Sequence, residues 1–181
     1  LAELIRRDAR GSLIGLQYDP MAVKLCLGLE EGARLTLRIG GKFSPLSGPA
    51  LDLPVRILRM ARDQQQTTVS GPAMSVGNVV LLETDQGVRI AMNDVRTQIF
   101  HPDAFEGLGL DLMACPVIVV KSTQHFYAGF AELAGEVLYV RTAGAISFEG
   151  PVSPYRQRDG DYWPVVQWPS ALKADSRRGC A

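Results

Sequence analysis

The chain has 181 residues, enough for one domain that buries roughly 70% of its unfolded-chain surface without disulfides or metal ions. Hydrophobic residues make up 46% and charged residues 21%, which is typical of a globular domain. The 19 basic and 19 acidic side chains balance, and no apolar run approaches the ~20 residues of a membrane span, so the sequence predicts neither a nucleic-acid partner nor a membrane partner.

The three cysteines predict a reducing, cytoplasmic environment. Cys26, Cys115 and Cys180 are far apart, odd in number and form no Cys-x-x-Cys pair. We therefore expect reduced core residues rather than disulfides or metal ligands. The sequence opens on Leu1 and enters a helical pattern without a capping residue, which predicts a piece of a longer protein.

The first forty residues predict a short helix followed by a strand, a helix and a strand. These elements cover residues 2–9, 12–17, 20–30 and 33–39. Asp19 and Pro20 predict the start of the second helix, because the carboxylate can accept bonds from free backbone N–H groups and proline suits the first helical position. Residues 12–39 therefore predict one β-α-β unit, expected to be parallel and right-handed.

A loop rich in glycine, proline and serine follows at residues 40–50. Its Gly40-Gly41-Lys42 trio does not match a phosphate-binding loop, which requires glycine where Thr36 stands and serine or threonine where Phe43 stands. We expect a flexible or substrate-facing loop instead.

Residues 51–93 predict a β-rich insert between two α/β portions. Its strand-like segments are joined by short turns, including Asp85-Gln86-Gly87, which indicates antiparallel pairing. Residues 96–100 predict a further strand, and His101 is expected to be a turn residue before a short helix that starts at Pro102.

The segment from Cys115 to Phe130 predicts the second β-α-β unit. Residues 116–121 are typical of a strand buried on both faces, residues 123–134 of a helix with Phe126 and Phe130 facing inward, and residues 136–142 of a strand.

The predicted fold class is therefore α/β: a mixed sheet with two β-α-β units and an antiparallel β-rich insert. We expect one domain over residues 1–170, with residues 150–170 wrapping the surface and residues 171–181 frayed.

The polar junction after strand 116–121 carries the sharpest functional candidates. At the first turn of a helix, His125 should be mainly neutral, and it could donate to an oxyanion, act as a base or bind a metal; it could equally be a structural histidine. Lys121 either binds an anion beside the helix or is a surface lysine. Ser122 and Thr123 are expected to be helix caps rather than nucleophiles.

Asp19 occupies the corresponding junction of the first unit and is expected to cap its helix. If the two preceding strands are neighbours, Asp19 and His125 share one crevice. The chain has only two histidines and no metal-binding motif, so we predict no metal site within it.

The run from Val119 to Phe126, VVKSTQHF, resembles the VKSxxHF signature in the C-terminal region of the microcystinase C (MlrC) family of bacterial metallopeptidases. Tyr18 to Val23 resembles the family's DPxAV segment, and Ile39 to Lys42 its glycine pair. Pro154-Tyr155-Arg156 and Trp163-Pro164 resemble its closing tail, so the resemblance covers residues 1–165. Tyr127 departs from it, because arginine is common there, and so does the tail from Arg158 to Pro164.

The resemblance implies the C-terminal domain of a zinc-dependent metallopeptidase or amidohydrolase. Zinc would be held by an N-terminal catalytic domain of the same polypeptide, which this sequence lacks, so the isolated chain should be inactive. The substrate would be a peptide or small amide; the oligomeric state stays open. The implied site residues divide into catalytic His125 and Lys121, and substrate-binding Ser122, Gln124 and Asp19.

Two other functions remain as alternatives. The chain could be a non-catalytic module that binds a small anion or a partner beside Lys121 and His125. It could also be a structural lid without direct contact to substrate.

Overall fold

The computed structural model describes residues 1–43, 47–140, 142 and 161. The chain divides into two compact units, Leu1–Tyr139 and Val140–Ala181, and the description below concerns the first. The tail predicted at residues 150–170 and the frayed end at 171–181 lie outside the described residues, apart from Asp161.

The first unit is built on a sheet of six strands, and this sheet is mixed, as the sequence predicts. The strands are β1 (Leu13–Tyr18), β2 (Arg34–Ile39), β3 (Leu51–Gln66), β4 (Met74–Thr84), β5 (Arg89–Asn93) and β6 (Ile118–Val120). Their order across the sheet is β2-β3-β4-β5-β1-β6. β1 is parallel to both β5 and β6, whereas β2 to β5 form an antiparallel series.

The helices are short. The helices that lie wholly within the described residues are α1 (Ala2–Arg6), α2 (Pro20–Leu27), α3 (Tyr127–Phe130) and the 3₁₀ helices Pro102–Leu108 and Leu112–Ala114. α2 begins as predicted: the Asp19 carboxylate accepts the Ala22 N–H at 3.1 Å, and Pro20 occupies the first position. It ends at Gly28, earlier than predicted. Among the described residues, no helix is long and apolar enough to cross a membrane.

The sheet has an apolar layer on each face. α2 covers one face with Ala22, Val23 and Cys26, which join a cluster containing Ile90 and Met92. The 3₁₀ helix Pro102–Leu108 covers the opposite face with Ala104, Phe105 and Leu108, in a cluster with Leu13, Leu81 and Ala91. Each fully buried large side chain contributes about 1.5–3 kcal/mol. β1, β4 and β5 contribute buried residues to both layers, so these strands are buried on both sides.

The pairing predicted for the first β-α-β unit is wrong. β2 is not a parallel neighbour of β1; it lies at the far edge, pairs antiparallel with β3 through Arg34↔Arg56 to Ile39↔Leu51, and runs antiparallel to β1. β2 and β3 follow one another in the chain and pair directly in an antiparallel manner, which buries Leu37 and Ile39 without a crossover.

The predicted second β-α-β unit also differs from the structure. β6 has three residues and is only partly buried, because it lies at the edge and pairs only with β1 within the described part of the chain. The predicted helix 123–134 is reduced to Tyr127–Phe130, although Phe126 and Phe130 are buried as expected. Residues 96–100 form no strand, and neither do 136–140 of the predicted strand 136–142.

Candidate functional site

The carboxyl ends of the three parallel strands lie along one edge of the sheet. β1 continues into Asp19, β5 into Asp94 and β6 into Lys121. Gly15 pairs with Val120, so Lys121 is level with Leu16. At roughly 3.3 Å per residue, Asp19 lies roughly 10 Å further along the sheet than Lys121. The predicted residues therefore form two groups, and the crevice shared by Asp19 and His125 stays a prediction.

The first group centres on Gln98. Its side-chain oxygen Oε1 accepts a hydrogen bond from Ser122 Oγ at 3.3 Å and lies 3.5 Å from His125 Nδ1. The His125 ring also packs edge-on against Phe100, with 5.5 Å between ring centroids. Gln98 thus connects two of the predicted site residues, Ser122 and His125.

The local structure around His125 differs from the prediction. α3 begins at Tyr127, so His125 lies in a turn before the helix rather than in its first turn. Ser122 makes no cap and donates to Gln98 instead. The predicted helix N-terminus at His125 is therefore absent, because α3 is a single turn that starts two residues later.

Gln66 fixes the segment that carries Gln98. Its Nε2 donates to the Gln98 carbonyl at 2.7 Å, and its Oε1 accepts the Phe100 N–H at 2.9 Å. Gln66 is 1% exposed, and both bonds run from this buried side chain to a partly exposed backbone segment. The carboxamide therefore pairs with the backbone of 98–100 as a neighbouring strand would. The sequence prediction missed both glutamines.

A second contact, between Thr67 and Asp103, fixes the chain just after residues 98–100. The Asp103 carboxylate accepts the Thr67 N–H at 2.9 Å and the Thr67 hydroxyl at 2.6 Å. His101, predicted as a turn residue, precedes the 3₁₀ helix Pro102–Leu108, and its Nδ1 accepts the Asp103 N–H at 3.3 Å. The end of β3 therefore holds the whole connection that leads to His125.

A shallow, open depression of about 510 Å³ lies beside His125. Its lining residues are Val69, Gln124, His125, Tyr127, Ala128 and Tyr139. Gln124 and His125 thus face the same space, whereas Lys121 and Ser122 do not line it. Tyr127 is half exposed and provides a phenol where the family resemblance has an arginine.

The second group is the ion pair of Asp19 with Lys42. The Asp19 side chain is only 4% exposed; Oδ1 accepts the α2 N–H of Ala22 and Oδ2 accepts from Lys42 Nζ. The Lys42 side chain is 28% exposed. Asp19 therefore caps α2 as predicted and also holds the lysine of the Gly40-Gly41-Lys42 trio. The sequence analysis noted the trio but did not predict its ion pair with Asp19.

The described residues do not fit a zinc site. None of their histidine, cysteine, aspartate and glutamate side chains form a group of three or more that could hold a metal ion. The polar group nearest His125 is an amide, not a carboxylate or thiolate. We therefore derive no chemical step through a metal held by these residues.

Comparison with known proteins identifies the family. The sequence model of the family described as "MlrC C-terminus" matches residues 1–156. Microcystinase C from Sphingomonas sp. is 32% identical over 161 residues, which make up 89% of this chain and 31% of that protein.

A crystal structure of a putative metallopeptidase from Mesorhizobium sp. BNC1 shares the fold. It superimposes with a TM-score of 0.64 at 21% identity, and the match covers 74% of this chain and 27% of that one. This chain thus spans less than a third of the length of either relative. The match over residues 1–156 shows that the chain belongs to the MlrC family, in which it corresponds to the C-terminal region.

Proposed function

We propose that this chain is the C-terminal domain of a zinc-dependent metallopeptidase or amidohydrolase, and that it completes a substrate site with an N-terminal metal domain of the same polypeptide. The observation that carries the proposal is the family match over residues 1–156. The names of the two relatives support hydrolysis of a peptide or amide. Their greater length leaves room for a separate metal domain, where we place the zinc.

In this proposal His125 acts as a hydrogen-bond acceptor or base. When Nδ1 carries the proton, it donates to Gln98 Oε1, an oxygen that can also accept the Ser122 hydroxyl bond. This tautomer leaves Nε2 free to accept a proton from the substrate or from water. Gln98 would then act as a positioning residue for the imidazole.

Lys121 directly follows β6 and precedes Ser122, which binds Gln98. Its side chain is exposed and forms no ion pair with any described residue. We propose that its ammonium binds a substrate carboxylate or the oxyanion that develops during amide hydrolysis. Ser122 and Gln124 would contact the flanking substrate atoms.

Free thiols at Cys26 and Cys115 support a cytoplasmic location for the protein.

The test uses the longer enzyme that contains this domain. His125→Ala should lower kcat/KM by about 10²-fold or more if the imidazole transfers a proton, and Lys121→Ala should lower it through loss of charge stabilisation. Lys24→Ala is the matched control, since this lysine is exposed on α2 and remote in sequence from the Gln98 group. Circular dichroism checks folding, and unchanged kcat/KM in both site variants would contradict the proposal.

The alternative functions give different results. A calorimetric zinc titration of this chain alone should show no tight stoichiometric binding; tight binding would move the metal into this domain. A structural lid would lose thermal stability in the His125 and Lys121 variants while each folded enzyme kept its kcat/KM. If the chain is a non-catalytic anion-binding module, it would bind the anion by itself. The longer protein would then show no amide hydrolysis, with or without the substitutions.

A further inference from the structure

The sheet has a topological switch point between β1 and β5. The connection from β1 leaves through α2 and packs on the face that carries Ile90 and Met92. The connection from β5 leaves through the 3₁₀ helix Pro102–Leu108 and packs on the opposite face, against Ala91. Parallel neighbours whose connections leave on opposite faces open a crevice at their carboxyl ends, and ligands of open α/β sheets bind there.

The crevice is closed at its base by the backbone. Tyr18 pairs with Asn93, and the Asp19 N–H donates to the Asn93 carbonyl at 2.9 Å. Asn93 is 1% exposed, and its side chain donates to the Val76 carbonyl at 3.0 Å. The ends of β1 and β5 are therefore joined by backbone hydrogen bonds, and a ligand would meet the residues just beyond them.

Asp19 positions the ammonium of Lys42 at the carboxyl end of β1. Asp19 cannot move to solvent, because it is buried and its other oxygen caps α2. Lys42 has three N–H donors and only one ion-pair partner among the described residues, so its partly exposed end retains donors for another acceptor. Both carboxylate oxygens of Asp94, on the neighbouring strand, are engaged by Asn78 at 2.8 and 2.6 Å. Among the described residues, the ion pair of Lys42 is formed with Asp19 and not with Asp94.

An aromatic pair is formed by the residues next to Asp19 and Lys42 in the sequence. The rings of Tyr18 and Phe43 lie 5.1 Å apart between centroids, and these residues adjoin Asp19 and Lys42 in sequence. Phe43 is 56% exposed, so the residue that follows Lys42 has apolar ring surface available to a ligand. The combination suits a ligand with an anionic oxygen and an adjacent apolar or aromatic group.

We propose that the crevice at the carboxyl ends of β1 and β5 binds a carboxylate that carries an apolar or aromatic group. Lys42 contacts the carboxylate, Asp19 positions Lys42, and the Tyr18–Phe43 pair packs against the apolar group. This site is distinct from the Gln98 group. Only the identification of the ligand as part of a peptide substrate rests on the proposed function.

The experiment uses the 181-residue chain, labelled with ¹⁵N, and two probes of the same shape. N-acetyl-phenylalanine carries the carboxylate, and N-acetyl-phenylalaninamide is its neutral counterpart. The carboxylate should cause saturable shifts in the amide signals of Tyr18, Asp19, Lys42 and Phe43, and the neutral probe should bind about tenfold more weakly or not at all.

Variants assign the binding. Lys42→Met should weaken the carboxylate about tenfold or more, and Lys24→Met should not change its Kd. Because Lys42→Met leaves a buried carboxylate unpaired, the double variant Asp19→Asn/Lys42→Met provides a second test: asparagine still caps α2, and binding should be lost in a folded protein. Lys42→Arg should retain most of the binding.

Three results would overturn the inference: no saturable shift, equal binding of the neutral probe, or unchanged Kd in the double variant. Loss of binding in Lys121→Met but not in Lys42→Met would assign the carboxylate to the Gln98 group instead. That result would leave the proposed function standing, because kcat/KM of the His125 variant tests that function separately.

Discussion

The buried side-chain amide of Gln66 holds the backbone on both sides of Ile99: it donates to the Gln98 carbonyl at 2.7 Å and accepts from the Phe100 N–H at 2.9 Å. One carboxamide thus substitutes for two main-chain partners. Gln66 therefore also positions the candidate site, because Gln98 contacts Ser122 and His125, and Phe100 packs against His125.

Gln66→Leu should therefore destabilise the domain. Leucine fills a similar volume but removes the partner of the Gln98 carbonyl and of the Phe100 N–H, at a cost of about 0.5–1.5 kcal/mol for each partly buried bond. The free energy of unfolding from urea denaturation measures this loss. Gln65→Leu is the matched control, since Gln65 is its exposed neighbour on β3, and it should change stability by about 0.5 kcal/mol or less. Equal effects of the two variants would show that the Gln66 amide contributes nothing specific.

Gly15 is required for close packing at the centre of the sheet. A Cβ atom there would lie 2.8 Å from the Cβ of Ala91, 3.0 Å from its carbonyl oxygen and 3.2 Å from the Phe105 ring. Gly15→Ala should cost about 1–3 kcal/mol through overpacking, measured as a lower denaturation midpoint. In Gly135→Ala the added Cβ meets nothing within 4 Å, so that control should be nearly neutral. A stable Gly15→Ala protein would mean that β1 and Phe105 can separate freely.

Cys26 predicts a loss of stability at alkaline pH. Burial, together with the charge of Asp19, raises the pKa of its thiol to about 11. The folded protein therefore keeps the thiol neutral while the unfolded chain already releases its proton. Stability from this source is complete below the unfolded pKa and falls as pH rises to about 11, by about 1.4 kcal/mol for each pH unit between the two values.

The measurement compares the wild type with Cys26→Ala in denaturant titrations between pH 7 and pH 10.5. Alanine leaves a small cavity at every pH, so the informative quantity is the difference in slope. The wild type should lose stability faster than the variant above about pH 9. Parallel pH profiles would contradict the elevated pKa of Cys26.

Local signals in the sequence predict local structure well. Asp19 followed by Pro20 specifies a helix start within four residues, and the structure has the predicted cap. Asp85-Gln86-Gly87 specifies a turn, and the Gly87 N–H closes it on the Thr84 carbonyl at 2.8 Å. In both cases the interacting groups are close in sequence, so the pattern contains the whole interaction.

Pairing between distant segments is not determined by such patterns. The alternation in Arg34–Ile39 predicts a strand correctly but is the same whether the partner is β1 or β3. The apolar run at Ile118–Val120 predicts a strand but does not reveal that it lies at an edge. Gln66 and Gln98 are polar and 32 residues apart, so no local pattern in the sequence indicates the hydrogen bond between them.

The Asp19–Lys42 pair should respond asymmetrically to loss of either charge. Lys42, with its side chain 28% exposed, can extend into water when Asp19 is neutralised, whereas the Asp19 carboxylate, at 4% exposure, cannot reach water when Lys42 is removed. Lys42→Met should therefore cost about 3–5 kcal/mol, and Asp19→Asn, which keeps the helix cap, should cost less. The double variant should recover part of the loss in Lys42→Met, because the uncompensated charge is gone. Urea denaturation of the four proteins gives the coupling free energy directly. If Asp19→Asn proved the more destabilising single change, the burial argument for a positioned Lys42 would fail.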